Sequence, residues 1–295
     1  MNSWSETART FGLITVELVA LFLVISFLVA LANRRLGAKR IQSWLAGGRL
    51  IGPVKGALLG AMTPFCSCST LPMLVGMFKA GVPFSTAAAF LIGSPLLNPI
   101  ILGAVGLLFG WSIMTGYAVA AFGGTLAIAF AWDALGLERF VKRVRVEGAA
   151  DHEEPWGGLR AEAPGAWRSA LLDFKPLVLP LLLGVSVGAA IYGAVPQSFI
   201  AGVAGPDNPL AVPVAAVVGI PLYIRTEAAL PIGLALTSAG MGLGPVFALI
   251  MGGAGASIPE VSMLTAIFKP RLVAAFVASV LAIAIAGGFL IPQFT

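Results

Sequence analysis

Long apolar runs, interrupted by short polar or proline-containing stretches, cover most of this chain. An apolar run of about 20 residues is long enough to cross a bilayer as a helix. The first run, Phe11 to Leu31, has this length and no basic segment before it, which indicates a retained transmembrane helix rather than a cleaved signal peptide. The pattern predicts eight segments, four in each half of the chain: 11–32, 48–80, 83–109 and 111–134, then 176–195, 210–239, 244–268 and 271–292.

The two halves share the spacing of their prolines and glycines. Leu71-Pro72, Gly81 and Gly93 recur 159 residues later as Leu230-Pro231, Gly240 and Gly252. Proline and glycine positions fix backbone geometry rather than merely reflecting apolar composition. We therefore expect two copies of one structural unit, the membrane repeats 1–135 and 176–295, joined by a hydrophilic linker at 136–175.

Basic residues mark alternate connections between the segments. Lysine and arginine occur at 34–49, 139–145 and 269–271, and are absent near Gly110, at 196–209 and at 240–243. Because cytoplasmic loops carry an excess of lysine and arginine, we expect the basic connections, with the linker, in the cytoplasm and both chain termini outside it. The first helix then runs inward while its counterpart in the second half runs outward, so the two repeats have inverted topology.

The second segment of each repeat is expected to form a re-entrant helical hairpin. In the first repeat the arms are 49–63 and 70–80 and the tip is Pro64–Ser69, while in the second repeat the tip is Pro221–Glu227. An arm of about 14 residues rises roughly 21 Å as a helix, so both tips should reach the midplane. The expected fold is an all-α polytopic membrane protein of two inverted-topology repeats, each with about three spanning helices, one of them broken, plus the hairpin.

Composition agrees with a membrane protein. Of the 295 residues, 58% are hydrophobic and only 11% are charged, and the mean hydropathy is +0.96. The net charge of +5 is explained by cytoplasmic loops and not by nucleic acid. Two cysteines and one histidine predict neither a disulfide framework nor a resident zinc cluster. We expect no cofactor and no enzymatic activity. The expected partners are the lipid bilayer and a small-molecule or ion cargo, with the oligomeric state left open.

The most distinctive polar interruption is Thr63-Pro64-Phe65-Cys66-Ser67-Cys68-Ser69-Thr70-Leu71-Pro72, at the expected tip of the first hairpin. Irregular backbone survives at membrane depth only where protein buries it or where it lines a cavity. Cys66 and Cys68 are thiols that can bind a soft metal or metalloid transiently as cargo, exchange disulfides, or only fill space. Ser67 and Ser69 add hydroxyls that satisfy the loop or coordinate a polar cargo.

Charged residues occupy the opposite hairpin tip. A charged side chain at membrane depth is costly and indicates a functional role by default. Arg225 is therefore a candidate cargo contact, and its polar neighbours Tyr223 and Thr226 are candidates with it. Glu227 is a candidate proton carrier. The structural alternative is an ion pair between Arg225 and either Glu227 or Glu260 that holds the tips together.

The third segment of each repeat contains a polar break near its middle. The two breaks are Gly93-Ser94-Pro95-Leu96-Leu97-Asn98-Pro99 and Gly252-Gly253-Ala254-Gly255-Ala256-Ser257-Ile258-Pro259-Glu260. Asn98 either satisfies backbone groups that the first break frees or contacts cargo. Glu260 is a second candidate proton carrier, and alternatively it caps the half-helix that follows, since acidic groups suit helix N-termini.

These motifs resemble one known family. The residues that carry the resemblance are Pro64-Phe65-Cys66-Ser67-Cys68-Ser69, Leu71-Pro72, the Lys79-Ala80-Gly81-Val82-Pro83 turn and Gly93-Ser94-Pro95 with Asn98-Pro99. Together they resemble the ArsP/YraQ-type predicted permease family over most of the chain. The resemblance implies an inner-membrane permease with Cys66 and Cys68 at its cargo site, and the best-described members export trivalent organoarsenicals. Here Ile224–Glu227 brings charge where many relatives carry a smaller polar or cysteine-bearing turn, which leaves room for an anionic cargo.

Several functions fit these residues. The preferred hypothesis is a secondary transporter that exports a soft, thiol-binding species such as a trivalent organoarsenical or a metal, with proton coupling as an option. The alternative is a permease or channel for a small anion held by Arg225. A membrane thiol oxidoreductase is disfavoured, because one residue between Cys66 and Cys68 strains a disulfide. No P-loop occurs in the sequence, so ATP drive would need a partner. A non-transporting scaffold would leave two matched midplane breaks unexplained.

Overall fold

The computed structural model describes residues 48–62, 67–142, 158–175, 210–222 and 241–294, with isolated positions between 16 and 45 and at 178–179, 233–234 and 236–237. The α-helices for which both ends are described are α1 Gly48–Met62, α2 Ser67–Lys79, α3 Phe84–Leu96, α4 Pro99–Phe109, α5 Trp111–Ala134, α6 Leu159–Phe174, α7 Ala211–Leu222, α8 Leu243–Gly255, α9 Ile258–Ile267 and α10 Pro270–Leu290. Short 3₁₀ helices, Leu137–Phe140 and Ile291–Phe294, follow α5 and α10.

Four stretches of the described chain are helical, long and apolar enough to cross a membrane. They are Phe84–Phe109 (α3 with α4), Trp111–Ala134 (α5), Leu243–Ile267 (α8 with α9) and Pro270–Phe294 (α10 with its 3₁₀ extension). The prediction of an all-helical, multi-pass membrane protein is confirmed at this level. The predicted helix at 11–32 lies mostly outside the described residues, although those described between 16 and 31 are helical. The predicted helix at 176–195 lies outside them, apart from residues 178–179.

The two helices α3 and α8 form the centre of the packing. Every residue of α3 is buried, as is every residue of α8 after Leu243. The outer helices α4 and α5 instead expose large apolar side chains, among them Leu107 at 83% and Trp111 at 71%. Since lipid tails and not water suit such a surface, polar atoms on α3 or α8 lie in the dry interior of the protein.

The ends of the helices form two chemically different faces. Residues 79–84, 134–142 and 267–271 lie together at one end, where Val141 pairs with Phe268 in an isolated antiparallel bridge. We call this the basic end, because its Lys and Arg residues are Lys79, Arg139, Lys142, Lys269 and Arg271. The opposite end holds residues 109–112, 241–244 and 288–294. These described segments contain no charged residue, so we call this end the uncharged end.

The outer spans α5 and α10 run antiparallel to each other. Near the basic end the indole Nε1 of Trp132 donates a hydrogen bond to the Ser279 hydroxyl at 3.0 Å. Near the uncharged end a Cβ built on Gly116 would lie 2.7 Å from the ring of Phe294. The contact partners move in opposite directions along the two helices, so α5 runs towards the basic end and α10 away from it.

The two broken spans run in opposite directions. Phe84 at the start of α3 stacks on Trp132 with ring centroids 6.2 Å apart, which places that start at the basic end. The start of α8 lies at the uncharged end, where Gly244 meets the carbonyl oxygen of Gly288. The inner ends of α3 and α8 meet, since a Cβ on Gly255 would lie 3.1 Å from Leu96 Cδ2.

Helix α1 packs along α3 with the two helices parallel. A Cβ on Gly56 would collide with the carbonyl oxygen of Thr86, and one on Gly60 would lie 2.9 Å from the backbone nitrogen of Ser94. The partners advance together, so Met62 at the end of α1 is level with Leu96 at the end of α3. Helix α2 then leads back to the basic end, because it ends at Lys79.

Helix α7 packs on α8 in the same way. A Cβ on Gly219 would lie 2.9 Å from the backbone nitrogen of Gly253, and one on Gly252 would collide with the carbonyl oxygen of Ala216. The end of α7 at Leu222 is therefore level with the end of α8. Unlike α1, this helix begins at the uncharged end.

Backbone hydrogen bonds recur at a constant offset of 159 residues. The donor–acceptor pairs of the first and second halves are Val82–Met77 and Met241–Leu236, Ala87–Pro83 and Val246–Gly242, Leu97–Gly93 and Ala256–Gly252, Leu102–Asn98 and Val261–Ser257, and Met114–Gly110 and Val273–Lys269. All these bonds measure between 2.7 and 3.2 Å. These turns, breaks and helix starts thus have similar backbone hydrogen bonding at positions 159 residues apart.

Candidate functional site

The first break separates α3 from α4 near the middle of its span. Leu97 N still donates to Gly93 O at 2.7 Å, but the helix stops there. The Asn98 side chain accepts a hydrogen bond from Ile100 N at 2.9 Å and so caps α4, whose first residue is Pro99. Asn98 is only 4% exposed. Its side-chain oxygen therefore satisfies backbone at the break, which is one of the two roles that the sequence left open.

The second break, between α8 and α9, is built at equivalent positions with different side-chain chemistry. Ser257 is the N-cap residue of α9, yet its hydroxyl makes no capping hydrogen bond. The hydroxyl is buried and has no hydrogen-bond partner among the described residues. Ser257 thus keeps a polar group at mid-span that the helix itself does not use.

Glu260 lies in the first turn of α9 and is fully buried. A carboxylate near a helix N-terminus is stabilised by the partial positive charge of the free N–H groups there. This position agrees with the capping role considered for Glu260, and it also brings an ionisable group to the level of the second break.

Three other hydroxyls are buried along α3 and α5. Ser94 and Thr86 on α3 and Thr125 on α5 have side-chain oxygens that find no hydrogen-bond partner in the described part of the chain. The backbone of Ser94 lies against Gly60 on α1, and the Thr125 methyl group would lie 3.3 Å from a Cβ on Gly93. These two residues lie near the first break, whereas Thr86 lies near the start of α3. An unpaired buried hydroxyl costs about 1–3 kcal/mol, so Ser94 and Thr125 are candidate contacts for water or a polar cargo near the break.

These hydroxyls were not assigned from the sequence. Ser94 and Ser257 did carry a signal, because each stands one or two residues before a proline inside an apolar run. Thr125 carried none, since it lies within the unbroken apolar helix α5.

The cysteine motif is described only in part. Helix α2 begins at Ser67, so the predicted loop tip is shorter on this side, and Ser67, Cys68 and Ser69 form the first helical turn. Their side chains, and all of Cys66, lie outside the described residues. The next residue, Thr70, is fully buried.

Proline placement frees a backbone oxygen in the first turn of α2. Pro72 lies inside α2 and has no N–H, so it cannot donate to the carbonyl oxygen of Cys68 four residues earlier.

Helix starts converge at the level of the breaks. Helices α2, α4 and α9 begin at Ser67, Pro99 and Ile258 and continue outward from mid-span. The N-terminus of a helix carries a partial positive charge and free N–H groups. Free N–H groups at this level therefore favour a bound anion.

Four site candidates of the second hairpin, Tyr223, Arg225, Thr226 and Glu227, lie outside the described residues. The described chain brings Asn98 and Glu260 to two breaks that adjoin through Leu96 and Gly255. Within the described residues, no group of three or more His, Cys, Asp or Glu side chains is placed to hold a metal ion.

Asn98 and Ser257 allow a paired test of the two breaks. Asn98→Ala should lower the free energy of unfolding by about 1 kcal/mol, because α4 loses its cap. Ser257→Ala should leave it unchanged or slightly raised, because the hydroxyl caps nothing. Thermal unfolding of the two purified variants measures both effects. Equal losses in the two variants would show that the breaks do not differ in the way described.

Comparison with known proteins gives one family and several relatives. The family model ArsP_1, described as a predicted permease, matches residues 3–293. The chain is 24% identical to the UPF0718 protein YcgR of Bacillus subtilis (strain 168), covering 98% of each chain. It is 31% identical to the UPF0718 protein YraQ of Escherichia coli (strain K12), covering 77% of this chain and 64% of YraQ. No solved structure matches.

Proposed function

Because the chain belongs to the predicted permease family, we propose that it is a secondary transporter whose cargo site lies at mid-membrane, between the two hairpin tips and the two helix breaks. One observation carries the proposal. Helices α1 and α7 start at opposite ends of the protein, and each ends level with the break in the central helix on which it packs. Broken helices that meet at the midplane are the usual construction of transporter binding sites.

An inverted repeat underlies this site in our proposal. The recurrence of backbone hydrogen bonds at a 159-residue offset supports two equivalent units, and the opposite directions of the broken spans support their inversion. We assign the units to 1–135 and 176–295, with 136–175 as linker. The distribution of lysine and arginine makes the basic end the cytoplasmic one. Both termini then lie on the non-cytoplasmic side of the inner membrane.

The proposed cargo is a soft, thiol-binding species such as a trivalent organoarsenical. Cys66 and Cys68 supply thiolate ligands of the kind that such a centre prefers. Binding of a methylarsenic dihydroxide would form two As–S bonds and break two As–O bonds, and the two thiol protons would leave with the hydroxides as water.

A small anion is the second candidate cargo. The convergence of the N-termini of α2, α4 and α9 favours it, because such ends bind anions through their N–H groups. In this version Arg225 anchors the anion, with Tyr223, Thr226 and the hydroxyls around the breaks as further contacts.

Glu260 is the proposed proton carrier, with Glu227 as the alternative. A fully buried carboxylate beside the site can gain and lose a proton as its surroundings open to either face. Glu260→Gln should abolish the effect of a proton gradient on uptake while preserving exchange of labelled for unlabelled cargo. Loss of both activities, with normal folding, would assign Glu260 to cargo binding or architecture instead.

Uptake of trivalent methylarsenite into everted membrane vesicles tests the proposed function. Vesicles that contain the chain should accumulate methylarsenite faster than vesicles without it, and an imposed proton gradient should change the rate. Uptake no faster than in the control vesicles would rule out methylarsenite as the cargo and favour an anionic cargo held by Arg225.

A further inference from the structure

A pocket at the basic end lies outside the proposed cargo site. Its volume is about 210 Å³, and its lining residues are Phe78, Lys79, Val82, Phe84, Glu138, Val141 and Lys142. The walls combine apolar side chains with two ammonium groups and one carboxylate. The pocket lies where α2 and α5 end and α3 begins, so its depth corresponds to the boundary between the apolar spans and water.

A backbone bridge holds the two halves of the chain together beside this pocket. Lys142 N donates to Ile267 O at 2.8 Å, and Lys269 N donates to Phe140 O at 2.9 Å. The side-chain ammonium groups reinforce it, since Lys142 Nζ donates to Thr265 O at 2.6 Å. The bridge thereby fixes the positions of several cations.

Two arginines share one aromatic ring at the bridge. The guanidinium carbons of Arg139 and Arg271 lie 5.0 and 5.7 Å from the centre of the Phe140 ring. Both side chains are exposed, and neither has a carboxylate partner among the described residues. The segments 79–84, 134–142 and 267–271 carry five Lys or Arg side chains and one carboxylate, that of Glu138, and Asp133 directly precedes the second segment. Like charges held this close together attract a polyvalent or phosphate-type anion.

We propose that this bridge and pocket bind the headgroup of an anionic phospholipid. The arginine pair and Lys142 would contact the phosphate, and the apolar wall of Phe78, Val82 and Phe84 would face the glycerol and upper acyl chains. Glu138 suits a headgroup with hydroxyl groups, because its carboxylate can accept hydrogen bonds from them. Basic pockets at the cytoplasmic ends of spans are suited to such lipids. The bound lipid would contact both halves of the transporter at once.

Lipid-dependent thermal stability of the purified full chain tests this site. The native chain in neutral detergent should be stabilised by phosphatidylglycerol at much lower concentrations than by phosphatidylcholine. Each basic side chain strengthens attraction to an anionic headgroup roughly five-fold. The double variant Arg139→Gln/Arg271→Gln should therefore need about 25-fold more phosphatidylglycerol for half of the full stabilisation.

A matched control removes the same charge elsewhere. Arg168→Gln/Lys175→Gln changes two exposed basic residues, one within α6 and one directly after its last residue. It should leave the phosphatidylglycerol dependence within about two-fold of the native chain. If the double arginine variant cannot be purified, Lys142→Gln and the comparison of the two lipids on the native chain serve in its place.

The proposal is overturned if phosphatidylcholine stabilises the native chain equally, or if the control variant loses as much lipid response as the arginine variant. Inorganic phosphate that reproduces the stabilisation without lipid would assign the site to a free anion instead. None of these outcomes depends on transport, so failure here is distinguishable from failure of the cargo proposal.

Discussion

Replacing both Cys66 and Cys68 with serine is expected to reduce methylarsenite uptake at least about 100-fold. Mutating a residue that only orients a metal ligand already costs up to about 100-fold in affinity or activity, and this change removes the ligands themselves. A hydroxyl is a hard ligand that does not replace a thiolate at a soft centre. The loss should appear in vesicle uptake with the same amount of folded protein in the membrane.

Single variants provide the graded comparison. Cys66→Ser and Cys68→Ser each leave one thiol, so each should retain weaker uptake than the native chain and more than the double variant. Thermal unfolding of the double variant should match the native chain, because serine preserves the size of the side chain. Normal uptake by the double variant would show that the two thiols do not bind the cargo, and it would favour the anion hypothesis.

Gly219→Ala is expected to destabilise the protein by about 3 kcal/mol, at the upper end of the usual cost of overpacking. The added Cβ would meet two backbone atoms of α8, the carbonyl oxygen of Leu249 and the nitrogen of Gly253. Backbone cannot turn aside as a flexible side chain can, so α7 and α8 would have to separate. Thermal unfolding in detergent measures the loss.

Two further glycines make this test specific. Gly60→Ala, the position 159 residues earlier, should cost a similar amount, because its Cβ would lie 2.9 Å from Ser94 N and 3.2 Å from Phe90 O. Gly103→Ala in α4 has nothing within 4 Å and should be neutral or stabilising. A Gly219→Ala protein as stable as the Gly103→Ala protein would show that α7 does not pack closely on α8.

The positions of the described helices could largely be predicted from the sequence, because the length of an apolar run and the prolines and glycines that interrupt it are local signals. The spans beginning at 83 and 111 agree with α3–α4 and α5 to within a residue or two, and both central breaks lie where proline and polar residues predicted them. The start of α2 was misjudged. The polar run up to Ser69 was predicted to be a loop. Serine also suits the start of a helix, where a hydroxyl can accept a hydrogen bond from a free N–H group.

Packing was not readable in the same way. That Gly60 and Gly219 permit close contact with α3 and α8 depends on which helices are neighbours, and spacing alone does not determine this. The isolated pairing of Val141 with Phe268 joins residues 127 positions apart, and no local sequence pattern predicts it. The hydroxyl of Thr125 became a candidate only when the burial of α5 against α3 was known.

The most direct test of the account is labelling of Cys66 and Cys68 by a membrane-impermeant maleimide, in right-side-out and in everted vesicles, with and without methylarsenite. A mid-membrane site with alternating access predicts labelling from both faces and protection by methylarsenite. Rapid labelling from one face only, unaffected by methylarsenite, would contradict it and return the cysteines to an ordinary surface loop.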